Sequence, residues 1–149
     1  MVTNEMRIKA LSAYLEIDAE NITTVRDESH EFGVIHGDYL VLTDEEADAL
    51  VKERILEDVW AFKTEFLLPR LRINITNHNH GRLLKAFRKL QEELCEDAND
   101  VLRPMLKDEE QFVREAVSAD GRGHFLSGYD GEENDSSADG VSFYIFRTN

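Results

Sequence analysis

Ile22-Thr-Thr-Val25, Phe32-Gly-Val-Ile35 and Tyr39-Leu-Val-Leu42, closed at once by Thr43-Asp44-Glu45-Glu46, decide the fold class of this chain. The first three runs are β-branched and aromatic. Residues 26–29 and His36-Gly37-Asp38 separate them with turn-forming types, so three short antiparallel strands are expected. The fourth run is a capping box. The Thr43 hydroxyl can accept an orphan backbone N–H while the Glu46 carboxylate reaches back to the cap residue. The acids also lie at the positive end of the helix dipole.

Working outward, residues 4–16 put Met6, Leu11, Tyr14 and Leu15 on a helical stripe, which predicts an amphipathic helix ending before Asp18. Behind the capping box, Ala47, Leu50, Val51, Ile55, Val59, Phe62 and Phe66 recur at steps of three or four. This spacing predicts one long helix that runs until Pro69 stops it. The polar loop Asn77-His78-Asn79-His80-Gly81 leads into a second strong amphipathic helix over 82–96, carried by Leu83, Leu84, Phe87, Leu90 and Leu94. Shorter helical segments follow around 101–106 and 112–117. His124–126 and 141–146 read as two strands flanking an acidic, mobile loop at 130–140. The expectation is an α+β fold, a helical layer packed on a small antiparallel sheet in a single domain.

Charge is sorted in blocks. Residues 1–60 hold 5 Lys/Arg against 15 Asp/Glu, residues 61–90 hold 7 against 1, and residues 91–149 hold 5 against 15, within a net charge of −14. Such a balance disfavours binding of nucleic acid or anionic membrane by the whole surface and favours partners with basic surfaces. The acids expected to meet a partner are Asp44, Glu45, Asp48, Glu53 and Glu57, then Asp108, Glu109 and Glu110, then Asp130, Glu132 and Glu133. Arg82, Lys85, Arg88 and Lys89 form a basic patch. It precedes Glu92, Glu93 and Glu96 on the same predicted helix, an order that opposes the helix dipole. That reversal suggests placement for a contact, including a homo-oligomer that matches basic block to acidic block.

No motif names a reaction, and no cofactor is expected. His78-Asn79-His80 has the spacing of two metal-ligating imidazoles and would need a third ligand such as His124. A small metal-binding enzyme on these three histidines is therefore the alternative reading, and nucleic-acid binding through the basic segment 63–89 is another. Asn and His before Gly are equally loop and cap residues. Residues 130–141 lack the Gly and Glu that an EF-hand demands at its sixth and twelfth positions. Cys95 stands alone, which excludes an internal disulfide, fits a reducing cytoplasm and predicts a buried thiol. Glu5 and Arg7 interrupt the N-terminus, so no secretory leader is expected, and no apolar run approaches a membrane span.

The C-terminal run Asp120-Gly-Arg-Gly-His-Phe-Leu-Ser-Gly-Tyr-Asp-Gly-Glu-Glu133, closed by Phe143-Tyr-Ile-Phe-Arg-Thr-Asn149, resembles the ending of small acidic proteins encoded by tailed bacteriophages. The stretches Leu94-Cys-Glu-Asp-Ala-Asn-Asp100 and Tyr39-Leu-Val-Leu-Thr-Asp-Glu-Glu-Ala-Asp48 are similar to others in that group. The resemblance carries no functional residues with it. It implies expression in a bacterial host cytoplasm during infection. With small size and no catalytic motif it implies either interference with host machinery or an accessory virion or replication role. Taken with the charge, the expectation is a non-enzymatic protein that binds or inhibits a basic, nucleic-acid-binding host or phage protein; mimicry of DNA would require two rows of acids at phosphate-like spacing.

Overall fold

The structure, a computed structural model, describes residues 1–149. In chain order it contains α1 (Asn4–Leu15), β1 (Thr23–Arg26), β2 (Glu31–Val34), β3 (Gly37–Leu42), α2 (Asp44–Glu57) and α3 (Thr64–Leu67). These are followed by α4 (His80–Leu94), α5 (Asn99–Met105), α6 (Glu109–Asp120), α7 (Arg122–Leu126), β4 (Asn134–Ala138) and β5 (Val141–Arg147). The class is α+β, as the alternation of textures predicted. Two compact units can be described, one of residues 1–51 with 120–149 and the other of residues 52–119.

The first unit is built on a five-stranded antiparallel sheet in the order β1-β2-β3-β5-β4. The three strands read from 22–42 are present, and β3 continues the sheet through β5. Helix α1 lies on this sheet, and the Ser136 hydroxyl of β4 donates to the Ala10 carbonyl at 2.8 Å. The core joins Ala10 and Leu11 to Ile22, Phe32, Tyr39, Val41, Phe143 and Ile145. The buried stripe of α1 is Arg7, Ala10 and Leu11, while Tyr14 is 38% exposed, so the helix is rotated from the expected stripe.

Two expectations in this unit are corrected. Residues 134–138, expected as part of a mobile loop, are the edge strand β4, paired from Asn134↔Ile145 to Ala138↔Val141. The two-residue connection is Asp139-Gly140 with φ of 53° and 81°, the left-handed backbone that a type I′ hairpin requires. His124–126, expected as a strand, belongs to the short helix α7. The helix is crossed by a close backbone approach. A Cβ at Gly123 would stand 2.8 Å from the Glu132 carbonyl carbon, so only glycine lets residues 131–133 lie there.

The second unit is helical, with Ile55, Leu56, Val59, Leu67, Leu68, Leu71, Leu102, Leu106 and Phe112 buried. Phe62, Phe66 and Phe112 form an aromatic trio with centroids 5.0–5.5 Å apart. The single helix expected to reach Pro69 is instead α2, a 3₁₀ turn at Val59–Ala61, and α3. Two side-chain amides stabilise the break. Asn99 accepts from Trp60 N–H at 3.1 Å and donates to the Leu56 carbonyl at 3.0 Å. Gln91 donates to the carbonyls of Trp60 and Phe62 at 2.8 and 2.6 Å. Backbone groups freed by ending the helix are thus satisfied within the fold. Cys95, expected to be buried, is exposed. The chain leaves α4 at this residue with φ 51° and ψ −128°, which takes the thiol out of the helical register.

Candidate interaction surface

The division into units also divides the charge. Residues 1–51 and 120–149 hold 5 Lys/Arg against 18 Asp/Glu, whereas residues 52–119 hold 12 against 13. Nearly all the excess acid, a net −13, therefore belongs to the sheet-bearing unit.

Within that unit Arg122 gathers the acids. It opens α7 after Gly121, whose φ of 84° turns the chain into the helix. Its guanidinium donates to Glu133 at 2.7 Å, to Asp44 at 2.8 Å and to Asp48 at 2.9 Å, and lies 4.8 Å from the centre of the Tyr144 ring. Burial opposes its charge, but the three carboxylates outweigh that and raise its pKa above the ordinary arginine value. The side chains of Asp44 and Asp48 remain 65% and 66% exposed, so one half-buried cation organises three acids and leaves two of them open to solvent. The neighbouring segment is tied down as well. The Ser127 hydroxyl is within donating distance of both the Arg147 carbonyl, at 2.7 Å, and Asp130 Oδ1, at 2.9 Å, and its oxygen accepts from the N–H groups of Asp130 and Gly131. Asp130 in turn accepts from Glu132 N–H, and its pKa is lowered by that bond and by Ser127.

The other expected residues fall as follows. Glu45, Glu53 and Glu57 are exposed on α2, and Glu132 is exposed beside Glu133. Asp108 caps α6 by accepting from Gln111 N–H, Glu109 pairs with Arg103 at 2.7 Å, and Glu110 pairs with Lys52. These three acids serve the helical unit's own structure and do not join the Arg122 cluster. On α4, Arg82 and Lys85 are exposed, Arg88 pairs with Glu65, and Lys89 lies 3.7 Å from Glu93. An open groove of about 430 Å³ lies between α4 and residues 60–65, lined by Trp60, Phe62, Lys63, Arg88, Gln91 and Cys95.

The chemistry available is that of a surface. His78 and His80 stand at the entry to α4, His124 packs edge-on to Phe125 at 4.9 Å, and no three His, Cys, Asp or Glu side chains converge as a metal site. Asn79 shares its bonds with Thr76, which accept and donate reciprocally across the start of α4. Sequence reasoning missed one cluster altogether. Arg7, 3% exposed, binds Glu46 through both Nη atoms at 2.7 and 2.8 Å and donates to the Val41 carbonyl. His30 Nε2 lies 3.1 Å from Glu46 Oε2, the oxygen that Arg7 Nη2 also meets. Burial would raise the Glu46 pKa, yet Arg7, the Thr43 N–H and His30 hold it at about 2. Burial and the Arg7 charge lower the His30 pKa. An arginine at i−3 and i−4 from Ala10 and Leu11 was the available signal.

No family model, curated protein or solved structure matches the chain. No helix is long and apolar enough to cross a membrane.

Proposed function

We propose that this chain is a non-enzymatic, phage-encoded interaction protein that acts in a bacterial host by binding, and thereby inhibiting, a basic nucleic-acid-binding protein. The observation that supports this reading is the segregation of acid: a net −13 resides in the sheet-bearing unit, where Arg122 holds Asp44, Asp48 and Glu133 together and facing solvent. Clustered carboxylates fixed on a rigid frame complement Lys/Arg surfaces without an ordering cost at binding. They compete best with the polyanion those surfaces ordinarily hold.

The test is affinity capture from bacterial lysate with the whole chain, followed by challenge of the captured protein with duplex DNA. A nucleic-acid-binding protein that is released by duplex and fails to bind a Glu45→Gln/Glu132→Gln/Asp135→Asn variant is expected. Capture of nothing, or of proteins indifferent both to duplex and to these substitutions, would overturn the proposal. Glu45, Glu132 and Asp135, the last on the edge strand β4, are all exposed and none bonds to Arg122, so the variant keeps the fold intact.

A further inference from the structure

We propose that two copies of this chain pair through α4, the helices running antiparallel about a two-fold axis between Arg88 and Lys89. This goes beyond the acidic surface and concerns the other unit. Helix α4 buries none of its residues fully, although Leu83, Leu84, Phe87, Leu90 and Leu94 form an apolar stripe along it, and Leu94 is 40% exposed. Gln91 and Arg88 mark the flank already used by the chain itself, through Trp60, Phe62 and Glu65. At about 100° per residue, Leu83, Leu90 and Leu94 stand about 60–100° round the helix from Gln91, on the side away from Arg88, where Leu83 and Leu90 are half-buried and Leu94 is exposed. The steps 83, 87, 90, 94 are the four-three-four spacing of a coiled-coil seam.

Charge identifies the occupant. Residues 82–89 carry four basic side chains and no acid, while residues 92–97 carry four acids and no base. This order works against the dipole of the helix that bears it, with no acid in its first turn and no base in its last. An acidic partner would satisfy only the first half and a basic partner only the second. A second copy of α4 running the other way satisfies both, and an isologous two-fold contact requires that self-complementarity. With the axis between Arg88 and Lys89, Leu83 meets Leu94 of the second copy, Phe87 meets its Leu90, and Lys85 meets its Glu92. These are the alternating layers that an antiparallel seam forms.

Sedimentation of the full chain over a range of concentrations reads the stoichiometry, and a reversed pair reads the cause. The native chain is expected to sediment as a dimer. An Arg82→Glu/Lys85→Glu chain and a Glu92→Lys/Glu93→Lys chain should each be monomeric, and mixing them should restore a dimer containing one of each. Circular dichroism establishes that both variants are folded. Should either fail to fold, a spin label on the sole thiol, exposed Cys95, decides in the native chain. The antiparallel pair separates the two labelled positions by about 20 Å along the helix axis, whereas a parallel pair leaves them about 10 Å apart. A native chain that stays monomeric, a dimer that both reversed chains retain, or the short label distance would each overturn the proposal.

Discussion

Glu46 shows how one side chain can be a helix cap, an ion-pair partner and a pH-sensitive lock. It accepts from Thr43 N–H at 2.8 Å as the capping box requires, and it neutralises Arg7, whose position in the α1 stripe would otherwise bury a bare charge. Removing the acid leaves the more deeply buried cation unpaired, so Glu46→Ala should cost about 3–4 kcal/mol and Arg7→Met markedly less. Urea titration of both variants checks the order. A carboxylate held at about 2 instead of 4.5 stabilises the folded state fully above pH 4.5 and loses that contribution as pH falls toward 2. Solvent around a side chain 32% exposed reduces the effect to about 1–2 kcal/mol. His30, its pKa lowered from 6.5, adds a loss that begins as pH falls below 6.5, because the unfolded chain then takes up the proton first. Urea midpoints should therefore decline in two stages on acidification, with His30→Gln abolishing the upper stage and Glu46→Gln diminishing the lower, to which Asp130, Glu65 and Glu115 also contribute. A midpoint flat from pH 7 to 3 would contradict this. Gly123→Ala should also unfold or loosen the first unit, since the added methyl meets the backbone of residues 131–133.

At the scale of elements, the legible parts were those in which local preference and tertiary packing agree. The three strands, the capping box and the amphipathic pattern of α4 all follow from residue type and period alone. The break after Glu57 was not legible, because the apolar steps of three and four continue to Phe66 and the groups that end the helix, Asn99 and Gln91, come from more than thirty residues downstream. Replacing Asn99 with Ala should cost about 1–2 kcal/mol by leaving the Leu56 carbonyl and Trp60 N–H unsatisfied, read as a lowered thermal midpoint. Strand β4 was hidden for the opposite reason. Asn134-Asp-Ser-Ser-Ala138 is poor in strand formers and is held by pairing with Val141–Arg147, although Asp139-Gly140 was a hairpin signal in plain view. A Gly140→Val change, placing a β-branched residue at φ 81°, should destabilise the hairpin by about 1–3 kcal/mol. Of the candidate site, the acids could be listed from sequence but their organiser could not. Arg122 sits between two glycines, where no periodicity announces a half-buried cation that gathers acids.

For the whole molecule, the three charge blocks along the chain become two units, because β4 and β5 return the C-terminus to the sheet begun by the first fifty residues. That return joins two acidic segments in one unit and leaves the basic segment among the acids of the other. The account's functional claim rests on this arrangement. It is tested most directly by the affinity of the whole chain for the captured nucleic-acid-binding protein, measured as a function of salt. Ions released from a basic surface by clustered acids make the logarithm of the dissociation constant rise steeply and linearly with the logarithm of salt concentration. The Glu45→Gln/Glu132→Gln/Asp135→Asn variant should bind more weakly and with a shallower slope. An affinity that does not change with salt, or a variant that binds as the native chain does, would contradict the account.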